Sequence, residues 1–102
     1  MLITEGMFDL LSLAVLEKEL MDNSDVVILN SLSFLAKIQI HIPEYSQVLL
    51  FLDNDPAGDS ATRELLTRFD NVTDRRNSYK NFKDLNEKLT LEKKAGFKGT
   101  GL

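Results

Sequence analysis

The chain has 102 residues, enough for one domain with a modest hydrophobic core. Its 43% hydrophobic and 27% charged residues are typical of a globular domain. No apolar run approaches the ~20 residues of a membrane span, and the first residues lack the basic segment of a signal peptide. The absence of cysteine excludes disulfides, thiolate zinc sites and cysteine nucleophiles. It is also compatible with the cytoplasm. We expect the protein to be cytoplasmic and to have no membrane partner.

The net charge of −4 is unevenly distributed along the chain. Residues 1–74 hold 13 acidic and 4 basic side chains, whereas residues 75–102 hold 3 acidic and 8 basic ones. A basic segment on an acidic body can contact the phosphates of nucleic acid. A solvated, lysine-rich helix and tail explains the same pattern, so the charge alone leaves both interpretations open.

Short apolar runs alternate with helical patterns along the whole chain. The runs predict strands at residues 1–4, 26–29, 48–52 and 71–73. Helical spacing predicts helices at residues 8–21, 57–69 and 84–94. In the first helix the apolar face comprises Phe8, Leu11, Ala14, Val15 and Leu16. A further helix is expected to start at Ser31 or Ser33 and to end at Pro43, and its inward side chains are Phe34, Leu35, Ile38 and Ile42.

The alternation of strands and helices predicts the fold class. It indicates an α/β domain with a parallel sheet of about four strands and helices on both faces. We expect this single domain to cover residues 1–94. Residues 95–102 contain three glycines and are expected to form a flexible C-terminal tail.

The central feature is the apolar run 48–52, which stops at Asp53 and is followed by a helix start with Asp55 and Pro56. Right-handed crossovers bring the carboxyl ends of all parallel strands to one edge of the sheet. Glu5, Asp53, Asp55 and Asp84 would therefore gather at that edge. Carboxylates crowded together repel unless a cation neutralises them, and oxygen ligands of this kind suit Mg²⁺. The spacing of Asp53 and Asp55 would let both point towards one ion.

Each of these acidic residues also has a purely structural interpretation. Asp55 can serve as the N-cap of the following helix, and Asp53 can accept a hydrogen bond from a loop amide. Asp84 can cap the last helix, with Glu87 three residues later completing a capping box. Glu5 can be a solvated residue near the terminus, although Gly6 next to it suggests a close approach of the backbone at the end of the first strand.

Taken together, these segments resemble the Toprim domain of bacterial primases, topoisomerases, OLD-type nucleases and recombination mediators. Residues 4–9, TEGMFD, are similar to the primase pattern Glu-Gly-x-x-Asp. Residues 53–58, DNDPAG, are similar to its Asp-x-Asp-x-Ala-Gly pattern. Residues 79–87, YKNFKDLNE, are similar to a late segment of primase-like proteins on bacterial mobile elements, although Asn86 stands where primases often have a second aspartate.

The resemblance implies a compact α/β domain that binds Mg²⁺ or Mn²⁺ and acts in phosphoryl or nucleotidyl transfer on nucleic acid. Glu5 would be the general acid or base, Asp53 and Asp55 would hold the metal with Glu5, and Asp84 would be a further ligand. The basic residues Arg75, Arg76, Lys80 and Lys83 are expected to hold phosphates, weakly in isolation. The domain would then work beside other domains of a longer parent protein.

Two other functions fit parts of the pattern. A non-catalytic Toprim scaffold could bind nucleic acid or a partner protein with the same carboxylates intact. A phospho-accepting receiver domain would use Asp53 as the acceptor, but such a domain has an acidic pair after its first strand and a lysine after its fifth. Here Glu5-Gly6 stands at the first position, and no clear fifth strand is visible.

Overall fold

A computed structural model describes the backbone of residues 1–99 and the side chains of residues 1–92. Its strands are β1 (Leu2–Thr4), β2 (Val26–Ile28), β3 (Val48–Phe51) and β4 (Val72–Asp74). They form one parallel sheet in the order β2-β1-β3-β4. This arrangement confirms the predicted α/β fold with a parallel sheet.

Helices connect the strands. They are α1 (Met7–Leu16), α2 (Lys18–Asp22), α3 (Leu35–Ile38), α4 (Pro56–Arg68) and α5 (Leu85–Gly99), and short 3-10 segments lie at Leu32–Phe34, Gln39–Glu44 and Arg76–Tyr79. Among residues 1–99, no helix is both long and apolar enough to cross a bilayer.

The two faces of the sheet are covered by different helices. On one face, Ile3, Leu50 and Leu52 pack with Leu35 of α3 and Leu65 of α4. On the other face the cluster combines strand residues with side chains of α1, of the loop after β4 and of α5, namely Leu2, Leu13, Leu49, Phe51, Tyr79 and Leu85. Alternate side chains of β3 thus pack into two different cores, which explains why the strand is apolar without a break.

The predicted helix at 8–21 is wrong in its extent and in its buried face. It is divided at Glu17, where α1 ends and α2 begins. Its predicted apolar face points to solvent, with Phe8 69% exposed and Leu11 54% exposed. The buried residues of α1 are Asp9, Ser12 and Leu13, because this side packs against α5.

The segment before β3 is more irregular than the single predicted helix. Ser31 caps it by accepting a hydrogen bond from the backbone N–H of Ser33 at 3.3 Å. Only four residues are α-helical, and Pro43 lies inside the following 3-10 segment. Leu35 and Ile42 are buried as predicted, whereas the inward prediction for Phe34 is wrong, since this residue is exposed.

At the C-terminus, α5 extends to Gly99 instead of ending near Lys94. Residues 100–102 of the predicted tail lie outside the described residues.

The full burial of Leu50 in the middle of β3 makes this side chain a test of the core. We expect Leu50→Ala to lower the free energy of unfolding by ~2–5 kcal/mol, because it removes buried methyl groups and leaves a cavity. Leu66→Ala is the matched control, because Leu66 of α4 is among the exposed side chains. Urea unfolding of the two variants measures the difference. Equal losses would show that β3 is not the centre of the core.

Candidate functional site

The site lies where β1 and β3 end side by side. Glu5 directly follows β1, and its Oε2 accepts a hydrogen bond of 2.5 Å from the backbone N–H of Asp53. Asp53 comes two residues after β3 and is half-buried. The parallel pairing of the two strands therefore fixes these two carboxylates next to each other, as expected from the sequence.

Three aspartates from distant parts of the chain form an acidic group at this edge. Carboxylate oxygens of Asp9, Asp53 and Asp84 all lie within 4.8 Å of one another. Asp53 Oδ1 is shielded from solvent and has no hydrogen-bond partner among the described residues. A buried carboxylate oxygen without a donor is costly, and a hard divalent cation would satisfy it. The donor set of this group therefore fits a metal such as Mg²⁺ or Mn²⁺.

Asp84 reaches this group because the loop after β4 is tied to the end of β3. Asn54 Nδ2 donates hydrogen bonds to the carbonyl oxygens of Tyr79 and Phe82, both at 2.9 Å. The backbone N–H of Asn54 donates to the carbonyl of Lys83 at 2.6 Å. Asp84 directly precedes α5, and its Oδ1 accepts a hydrogen bond from the backbone N–H of Glu87 at 2.8 Å. The predicted cap at Asp84 is thus present, and the same residue also belongs to the acidic group.

Crowding and burial shift the protonation of these acids. Burial raises the pKa of Glu5 from 4.5 to about 7, opposed by its hydrogen bond from Asp53 and reinforced by the charges of Asp53 and Asp55. Burial likewise raises the pKa of Asp9 from 3.8 to about 6, and the charges of Asp84 and Asp53 add to it. The pKa of Asp53 is raised for the same two reasons, burial first and the charge of Asp84 second. The edge thus has a deficit of positive charge.

Asp55 occupies a different position from the acidic group. Its Oδ1 accepts a hydrogen bond of 2.7 Å from the backbone N–H of Gly58, so that it caps α4. It does not line the cavity at the site. The structure brings Asp53 together with Asp9 and Asp84, while Asp55 contributes its charge from the neighbouring turn.

The four predicted basic residues fall into two pairs. Arg75 forms an ion pair with Glu17, with Nη2 and Oε1 3.2 Å apart, and its guanidinium lies over the ring of Phe51. The side chain of Arg76 is only 14% exposed and forms ion pairs with Asp74 and Asp59. These two arginines hold the loop after β4 to the body of the domain.

Lys80 and Lys83, in contrast, are exposed. The charge of Lys83 lowers the pKa of Asp53, so this lysine stands close to the acidic group.

The acidic group opens into a cavity of about 280 Å³. Among the described residues, its walls also contain the ring of Phe8, the side chains of Asn30 and Asn86, and Gly6. Asn30 follows β2 and has a φ of 59°. The described lining of the cavity therefore combines carboxylates with an aromatic ring and side-chain amides.

Sequence reasoning missed two residues of the site. Asp9 is not among the site residues predicted from the sequence, although it is the final acid of the Glu-Gly-x-x-Asp segment, which is the available signal. Asn54 received no role, because its two acceptors lie 25 and 28 residues away and no local pattern indicates them.

The raised pKa values make the metal-free protein less stable as the pH rises. Glu5 binds its proton more tightly in the folded chain, where its pKa is about 7, than in the unfolded chain, where the ordinary value of 4.5 applies. Its contribution to the free energy of unfolding is therefore fully present below pH 4.5 and is lost as the pH rises through 7. We therefore expect the free energy of unfolding of Glu5→Gln to fall less than that of wild type over this pH range. Urea unfolding in chelator between pH 4.5 and 7.5 compares the two proteins, and parallel curves would contradict the raised pKa of Glu5.

The close packing of α4 on the end of β3 gives a second prediction. A Cβ at Gly58 would overlap the carbonyl oxygen of Asp53, which is backbone and cannot swing away. We expect Gly58→Ala to lower the free energy of unfolding by ~1–3 kcal/mol, despite the better helix propensity of alanine. At Gly6 the nearest atom to an added Cβ is Asp9 Oδ2 at 3.8 Å, so Gly6→Ala is the control with a smaller loss. Equal urea midpoints for the two variants would contradict the overlap.

Comparison with known proteins gives one family. No curated protein and no solved structure matched the chain. A sequence model described as Toprim-like matches residues 2–89, which include every residue of the acidic group and Glu5. Together with the parallel sheet and the carboxylates at its edge, this match shows that the chain belongs to the Toprim-like family.

Proposed function

We propose that this domain binds Mg²⁺ and acts in phosphoryl transfer on nucleic acid, as the nucleotidyl-transfer domain of a primase-like protein of the mobile-element type. The observation that carries the proposal is the acidic group of Asp9, Asp53 and Asp84 with its shielded, partnerless Asp53 Oδ1. An acidic cluster on its own is common on protein surfaces. A buried carboxylate oxygen without a donor, inside a cavity, is costly unless a cation occupies the site.

The roles of the residues follow from their surroundings. Asp53, between Asp9 and Asp84, would hold the cation. When bound, a divalent cation polarises a phosphate and offsets the charge that develops on its oxygens. Glu5 would hold or release a proton at a sugar hydroxyl, because its half-buried carboxylate lies at the end of β1 directly beside the proposed metal ligand Asp53.

Lys80 and Lys83 are the proposed phosphate contacts. Both are exposed, and Lys83 directly precedes Asp84 in the chain. Arg75 and Arg76, which the sequence suggested for the same role, are already held by acidic residues. Among the side chains that the structure describes, few cations are thus available near the acidic group, so nucleic-acid binding is expected to be weak and to depend on Mg²⁺.

A non-catalytic scaffold is the second candidate. The ion pairs of Arg75 and Arg76 favour it, because they withdraw positive charge from the expected nucleic-acid surface. A scaffold would bind the metal without turning over a nucleotide substrate. Nucleotide incorporation by the wild-type protein, lost in Glu5→Gln with metal affinity kept, would distinguish the catalytic domain from the scaffold.

Calorimetric titration with Mn²⁺ tests the metal site. We expect Asp53→Asn to weaken Mn²⁺ binding by roughly tenfold or more, because it removes the central carboxylate charge. Asp9→Asn should lose more affinity than Asp55→Asn, since Asp55 Oδ1 already accepts the Gly58 N–H and asparagine can keep that cap.

Undiminished binding by Asp53→Asn would refute the metal site. A greater loss in Asp55→Asn than in Asp9→Asn would put the ion between Asp53 and Asp55, as the family resemblance implied.

A further inference from the structure

Phe8 is in an unusual position for a large apolar side chain. It directly precedes Asp9 of the acidic group, yet it is 69% exposed. It belongs to neither of the two hydrophobic clusters described above, and it lines the same cavity as the carboxylates. Among the cavity-lining residues that the structure describes, it is the only aromatic one.

The acidic cavity repels an anionic ligand, so binding there requires an attraction that does not depend on charge. Four carboxylates face the cavity, so an anionic strand is repelled except where a cation is bound. Attraction from Lys80 and Lys83 alone is modest. Stacking of a base on an aromatic ring adds affinity that does not depend on charge or on base identity. An exposed ring beside the acids is therefore suited to hold the base while the phosphate lies at the metal.

We propose that Phe8 is a stacking platform for a base of a single-stranded nucleic acid or nucleotide whose phosphate lies at the acidic group. The inference rests on the proposed function, since it concerns the substrate of the same site. Asn30, exposed on the cavity wall, supplies amide groups within the same opening that can hydrogen-bond a base edge or a sugar. The substrate class is then one with an accessible, unpaired base.

A different occupant must be separated from this one. Phe8 begins an exposed apolar stripe along α1 that continues with Leu11 and Val15. Such a stripe could contact another protein. Only Phe8 of these three residues lines the cavity, and this favours a base over a protein at Phe8. Leu11 therefore serves as the matched control, because it is exposed on the same stripe and lies outside the cavity.

The test measures binding of a fluorescein-labelled 12-nucleotide single strand by anisotropy, in Mg²⁺. We expect Phe8→Ala to weaken binding by roughly 5- to 100-fold, the range for loss of one stacked base. Phe8→Trp should retain binding, and Leu11→Ala should leave it unchanged. Each variant is expected to keep its melting temperature, because both side chains are exposed.

A second probe isolates stacking from other effects. An abasic strand of the same length keeps every phosphate and has no base. We expect wild type to bind it more weakly than the normal strand, and we expect this preference to shrink in Phe8→Ala. A preference that is the same in wild type and in Phe8→Ala would overturn the inference and leave the proposed function standing.

The remaining outcomes are also decisive. Equal weakening by Phe8→Ala and Leu11→Ala would assign the stripe as one docking surface and overturn base stacking. Failure of wild type to bind either strand, with Mn²⁺ binding intact, would overturn the nucleic-acid part of the proposed function, and this inference would fall with it.

Discussion

The site depends on the hydrogen bonds that tie the loop after β4 to the end of β3. Asn54 uses both hydrogens of its side-chain amide, one for the Tyr79 carbonyl and one for the Phe82 carbonyl. In the opposite direction, the Tyr79 hydroxyl donates to the carbonyl of Leu52 at 2.6 Å, in a buried position. These bonds fix the residue that follows the loop, Asp84, against the residue that follows the strand, Asp53. They thereby oppose the repulsion between the two carboxylates.

In this domain, favourable packing and hydrogen bonding therefore offset an unfavourable arrangement of charges. Asp9 is buried by the contact of α1 with α5, and its Oδ1 accepts from the backbone N–H of Asn86 at 3.2 Å. This donor offsets only part of the cost, since the pKa of Asp9 is still raised. Sites in which local stability is sacrificed in this way are usually functional. A bound cation would attract each of the three carboxylates, and this attraction would outweigh their mutual repulsion.

Much of this architecture could be predicted because it is encoded locally. The run 48–52 is apolar without interruption since alternate residues enter two different cores, and a strand buried on both faces requires this. The helix start at Asp55 and Pro56 could also be predicted, because capping involves only residues of the first turn. The same local reasoning could not decide whether Asp55 serves the helix, the metal or both, since either role requires a carboxylate at that position.

The error in the buried face of α1 has one physical origin. Apolar spacing predicted that Phe8 and Leu11 face the core, but the helix turns its opposite side inward, with Asp9, Ser12 and Leu13 buried. The contact that selects this side joins Asp9 to Asn86, 77 residues apart, and no pattern within one helix contains it. A rotation of α1 that buried Phe8 would carry Asp9 away from Asp53 and Asp84. The exposure of the apolar stripe and the assembly of the acidic group are thus two consequences of a single helix orientation.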